Sequence, residues 1–69
     1  MNAILRVKEK RLEKGWTQEE LSARSFVSQA TISSLETGHR SPVLLTLCAI
    51  ATALDCSLSD LIEIEEGSR

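Results

Sequence analysis

Helix start and stop signals recur about every twelve residues along this sequence, and that spacing leaves room only for short helices. The first expected helix covers residues 2–14. Ile4, Leu5, Val7 and Leu12 fall on one side of it at 100° per residue, and Arg11 lies in the middle of that apolar stripe. Gly15 ends it, at a position where φ is often positive. Thr17 is a good N-cap for a second helix over residues 18–24, with Glu20 three residues inside as a capping box requires. Trp16 and Leu21 occupy the positions of a hydrophobic staple. After a turn of roughly four residues, Ser28 caps a third helix, Gln29–Thr37, which Gly38 ends. Ser41-Pro42 opens a fourth helix with Leu44, Leu47, Ile50, Ala51 and Leu54 on one face and Leu45 on the other. Asp55 closes it, because a short polar side chain tolerates a left-handed backbone. Ser57 caps a short fifth helix holding Leu58, Leu61 and Ile62. No stretch reads as a strand, no repeat or low-complexity segment occurs, and residues 63–69 read as a frayed acidic tail and a natural end. The expected fold is all-α: five short helices around one apolar core.

With 69 residues the chain is one domain. A chain this short buries only about 60% of the surface its unfolded form exposes, so it gains from a staple or from dimerisation. Cys48 and Cys56 are too few for a disulfide scaffold and, with His39 as the single histidine, cannot close a zinc site. They are expected to be small buried hydrophobes, too far apart for an internal disulfide. The sequence has no tyrosine, one phenylalanine and one tryptophan, which argues against stacking platforms for single strands. The N-terminus lacks the long apolar stretch of a signal peptide. The most apolar run, residues 43–54, is broken by Thr46 and Thr52 and falls short of the ~20 residues a membrane span needs. A soluble, reduced, cytoplasmic protein is expected, with no membrane partner. An enzyme is disfavoured. His39 near Ser41 lacks a third catalytic member, and Gly15, Gly38 and Gly67 form no phosphate loop. No cofactor, metal or small-molecule ligand is expected.

Charge is unevenly placed. Residues 1–40 carry seven basic and five acidic side chains, net +2; residues 41–69 carry one and five, net −4, for a total of −2. The mildly basic front either faces a polyanion or is a solvated surface with chance asymmetry.

The segment from Gln18 to Thr37 has the layout of two short helices joined by a tight turn. Its buried slots are Leu21, Val27, Ile32 and Leu35, with the small Ser22 and Ser25 where the helices approach. The exposed face of the second helix holds Ser28, Gln29, Ala30, Ser33 and Ser34, without a carboxylate until Glu36. Hydroxyls and amides pair with base edges in the major groove, where an acidic face would repel phosphate.

These residues are recognisable. Thr17 to Leu21, Val27 to Gly38, then Pro42, Leu47, Ile50-Ala51, Ala53-Leu54, Ser57-Leu58 and Leu61 resemble the Cro/CI-like (XRE) helix-turn-helix family of phage repressors and bacterial regulators. Arg6-Val7-Lys8 and Lys10-Arg11 look like the DNA-binding domains of lambdoid phage repressors, and the likeness covers roughly residues 4–62. It implies a compact five-helix lambda-repressor-like domain that binds double-stranded DNA and regulates transcription, as a repressor. The third helix would enter the major groove by its N-terminal end while the second lies across the backbone. Gln18 matches a phosphate-contacting glutamine and Gln29 a base-reading one. Ser28, Ala30, Thr31, Ser33 and Ser34 would supply the rest of the groove face, and His39 and Arg40 would touch phosphate. Arg11 and Glu36 match a largely buried ion pair between helices one and three. Relatives bind palindromic sites as homodimers, with half-sites about 34–36 Å apart. The surface they use corresponds to Val43, Leu44, Leu45, Cys56, Ser57 and Leu58. The resemblance also admits an antitoxin, a restriction–modification controller, or an interaction module that has lost DNA binding.

Three positions depart from the family pattern. Phe26 replaces the turn glycine, so either the turn is rearranged or the ring packs on something. Val43 stands where a capping residue is common. Leu45 replaces a charged residue, and is either part of a dimer surface or a lone exposed leucine.

Overall fold

The computed structural model describes residues 2–39, 41 and 43–65. Five helices follow one another: α1 (Val7–Glu13), α2 (Gln18–Ser25), α3 (Gln29–Thr37), α4 (Leu44–Leu54) and α5 (Leu58–Leu61). Two strands flank them, β1 (Asn2–Leu5) and β2 (Ile62–Glu65), paired antiparallel with Asn2 opposite Glu65 and Leu5 opposite Ile62.

The sheet corrects two expectations. The chain does not enter a helix at residue 2, and residues 63–65 are paired rather than frayed. Ile62-Glu63-Ile64-Glu65 alternates with the period of a strand, a short signal that acidic composition concealed. Its partner lies at the other end of the sequence, so no local pattern could reveal the pairing. An isolated two-stranded pair is marginal in water. Here Leu5 and Ile62 pack against the core, and the Arg6 N–H donates to the Leu61 carbonyl at 2.7 Å. The Arg6 guanidinium also pairs with Glu63 across the junction.

The late start of α1 changes its inward face. Val7 and Arg11, four residues apart, point inward, whereas Leu12 and Ile4 are 56% and 42% exposed. The core is Val7, Leu21, Ile32, Leu35, Leu47, Ile50, Ala51, Leu54 and Leu61. Leu44 keeps the period of the α4 stripe but, as the first residue of that helix, is largely exposed. Cys48 is exposed, contrary to expectation, because it falls on the outward side of α4. Cys56 is half-buried, and burial, then the Asp60 charge, pushes its thiol above the ordinary value.

The caps lie where their residue types place them, with one exchange. Thr17 Oγ1 accepts from the Glu20 N–H at 3.0 Å, but the Glu20 carboxylate reaches Arg24 instead of returning to the cap. The reciprocal box forms at α5, where the Asp60 carboxylate accepts from the Ser57 N–H at 3.0 Å. That bond holds the Asp60 carboxyl below the usual range. Ser28 Oγ accepts from the Thr31 N–H at 3.1 Å and starts α3. No side chain caps α4 at Val43. Gly15 and Gly38 have φ of 76° and 79°, and Asp55 has 57°.

Phe26 also keeps a positive φ, 63°, and its N–H bonds the Ser22 carbonyl to close α2. The turn therefore retains the geometry of a glycine while carrying an aromatic side chain that is 95% exposed. Strain of order 1–3 kcal/mol is expected for a bulky residue there. A glycine would relieve that strain, and its extra unfolded-state freedom costs only about 0.5–1 kcal/mol. Phe26→Gly should therefore stabilise the fold by about 1 kcal/mol and raise the melting temperature by about 4–8 °C. A midpoint at or below that of the wild type would show that the turn carries no strain.

Candidate nucleic-acid interface

A buried ion pair fixes the candidate recognition helix. Arg11 Nε donates to Glu36 Oε2 at 2.7 Å and Arg11 Nη2 to Oε1 at 3.1 Å, with the two side chains 9% and 3% exposed. The remaining Arg11 nitrogen, Nη1, donates to the Trp16 carbonyl at 2.7 Å. Gln18 Nε2 adds a further bond to Glu36 Oε1 at 3.0 Å. The Arg11–Glu36 pair thus joins α1, the loop before α2, the first residue of α2 and the last turn of α3. Fork geometry of this kind positions its partners as well as attracting them. Burial alone would push the Glu36 carboxyl up; the bonds from Arg11 and Gln18 and the Arg11 charge outweigh it and hold the group below the usual range.

Gln18 therefore has a task the sequence did not show. Its amide is half-buried and committed to Glu36 through one N–H, while its backbone opens α2. The partner lies 18 residues away, beyond any local pattern. Arg11 was legible as an anomaly on an apolar stripe, and its pairing with Glu36 follows the expectation.

The α3 surface is graded. Ser28, Gln29 and Ala30 are exposed, whereas Thr31, Ser33 and Ser34 are half-buried, so the open face is narrower than helical periodicity implies. The Ser28 hydroxyl also donates to Thr31 Oγ1 at 2.8 Å, which commits both side chains to the helix start. Gln29 and Ala30 are left as the most open groups of the first turn. His39 is exposed beyond the C-terminus of α3; its N–H donates to the Ser34 carbonyl at 2.9 Å and its ring meets Thr37 Oγ1 at 3.0 Å. Arg40 lies outside the described residues. Between Glu20 and Glu36 the sole charged residue is Arg24, whose guanidinium sits 4.4 Å from the centre of the Trp16 ring.

The expected dimer residues divide into two groups. Val43, Leu44 and Leu45 are 63%, 62% and 78% exposed, three consecutive apolar side chains on a helix with no charged residue. Cys56 and Leu58 are half-buried, packed partly against the core, and the exposed Ser57 is hydrogen-bonded to Asp60. No helix among the described residues is long and apolar enough to cross a membrane.

The model of the HTH_3 helix-turn-helix family matches residues 7–61. The chain belongs to the HTH_3 family, of XRE type. That span runs from α1 to α5 and leaves both strands outside. A helix-turn-helix-type transcriptional regulator of Sinorhizobium fredii is 52% identical over 75% of this HTH_3 chain and 68% of its own length. A competence pilus inhibition repressor of Acinetobacter baylyi is 37% identical over 83% of the chain, which spans about half of that repressor's length. The restriction–modification controller C.AhdI of Aeromonas hydrophila superimposes with a TM-score of 0.77 at 33% identity, over 80% of this chain and 83% of its own. The SinR/SinI complex matches with a TM-score of 0.76 at 30% identity, over 80% and 54%. This HTH_3 chain is accordingly a DNA-binding transcriptional regulator, and its family is not one of enzymes.

Glu36→Ala leaves Arg11 buried without its partner and should cost about 3–5 kcal/mol in stability, read by chemical denaturation. Because the folded-state value of Glu36 is depressed, its contribution is present above the unfolded carboxyl value near 4.3 and is lost as pH falls through the folded one. Stability of Glu36→Gln should therefore fall less on acidification than that of the wild type. Parallel acid profiles for the two proteins would remove the pair from the fold's energetics.

Proposed function

We propose that this regulator is a repressor that binds a palindromic operator as a homodimer, with α3 in the major groove. The observation that carries the reading is a polar α3 N-terminus free of carboxylates, held at a fixed angle by the buried Arg11–Glu36 fork. Gln29 reads a base edge, adenine N6 and N7 together, and Ala30 offers a methyl beside it. Ser28, Thr31, Ser33 and Ser34 border the contact. The N-terminus of α2 at Gln18, with His39 and Arg40 after α3, meets phosphates. The second copy docks on Val43, Leu44 and Leu45, whose exposure a monomer gains nothing from. The regulator works in the cytoplasm without a cofactor. A second reading, a restriction–modification controller, is favoured by the likeness to C.AhdI across most of that protein; an operator lying beside restriction–modification genes would distinguish it.

Selection from pooled random duplexes at two salt concentrations tests the proposal. The wild type should enrich a palindrome, with affinity falling on a log–log slope near −0.9 per phosphate contacted. Gln29→Ala should relax one base pair per half-site, at a cost of about 1–3 kcal/mol. No enrichment even at low salt would mean that the fold serves a protein partner. Leu45→Lys should shift sedimentation towards the monomer and weaken operator binding while leaving the half-site preference intact. An unchanged sedimentation profile would place the dimer contact elsewhere.

A further inference from the structure

Phe26 combines a left-handed backbone, φ 63°, with a side chain that is 95% exposed. The Phe26 side chain makes almost no contact with the fold, and strained residues of this kind cluster at functional sites. Its place narrows the choice. Phe26 lies two residues before Ser28, the N-cap of α3, so the backbone holds it within about 10 Å of Gln29. It also lies within the run of residues 21–35, where Arg24 is the sole charge in a chain with ten acidic residues. The carboxylates bounding that run, Glu20 and Glu36, are both paired to arginines. The exposed residues of this run, Phe26, Ser28, Gln29 and Ala30 among them, carry no carboxylate that would repel a polyanion. The apolar group that a major groove presents at a base edge is the 5-methyl of thymine.

We propose that Phe26 is a specificity-determining DNA contact, packing its ring against the methyl of a thymine next to the base pair read by Gln29. The inference rests on the DNA-binding reading above. The glycine-like turn is strained in order to hold the ring at the edge of the groove.

The test uses the duplex selected by the wild type, with each thymine replaced singly by deoxyuridine, which removes the methyl alone. Wild-type affinity should fall about fourfold at one thymine per half-site, the worth of one buried methyl. Phe26→Gly and Phe26→Asn, both compatible with the turn, should bind the parent duplex more weakly and show no loss at that position. Ala30→Gly should keep the loss, which separates the ring from the other apolar group of the face. Uridine sensitivity in Phe26→Gly that matches the wild type at every position overturns the proposal and directs Phe26 to a protein partner. Abolition of the loss by Ala30→Gly assigns the methyl to Ala30 instead. A wild type that selects a duplex yet is indifferent to uridine sinks this inference alone; a wild type that selects no duplex sinks the DNA-binding reading and this inference with it.

Discussion

The arrangement of the helix-turn-helix depends on one buried carboxylate. Glu36 accepts from Arg11 through both of its oxygens and from Gln18 through one, and Arg11 uses its remaining nitrogen on the Trp16 carbonyl. Apolar contacts among Leu21, Ile32 and Leu35 bring α2 and α3 together, but such contacts are non-directional. The fork sets an angle. A rotation of α3 about its own axis would break the fork, so the direction in which Gln29 points is tied to a pair at the opposite end of the helix. A buried charge pair is weak evidence for net stability. Its worth here lies in orientation.

Much of this was legible in the sequence because its causes are local. Thr17, Ser28, Gly38 and Asp55 mark helix ends by chemistry that acts within one turn of the backbone, and each occupies the expected place. Arg11 announced itself as a charge on an apolar stripe. What was hidden depends on residues far apart in the chain. The β1–β2 pairing joins segments about sixty residues apart, and Leu12, expected on the inward stripe of a helix begun at residue 2, is exposed on one that begins at Val7. The bond from the Gln18 amide to Glu36 spans 18 residues and depends on the tertiary fold. The open α3 face is narrower than the helical period alone implies, because Ser33 and Ser34 are half-buried.

The exposed apolar groups fall into two sets with different physical signatures. Val43, Leu44 and Leu45 are three consecutive exposed apolar residues at the start of an uncharged helix, so a second copy can meet them without like-charge repulsion. Phe26 is the exposed large apolar side chain of an acid-free run and carries a backbone penalty that the leucines do not. Apolar exposure at low conformational cost suits a broad, self-complementary contact. Exposure maintained against strain suits a single placed group.

The small sheet has a consequence for the order of assembly. Arg6 and Glu63 are 57 positions apart, so strand pairing closes a loop that contains every helix. Closing such a loop in a disordered chain costs about 3–4 kcal/mol in entropy, more than two four-residue strands return. Once the helices have packed, Val7 and Leu61 already lie in one core, and most of that entropy has been surrendered before the strands meet. The sheet is therefore a late event that depends on the helical nucleus, and it ties the flanks of the recognition unit to the completion of its core.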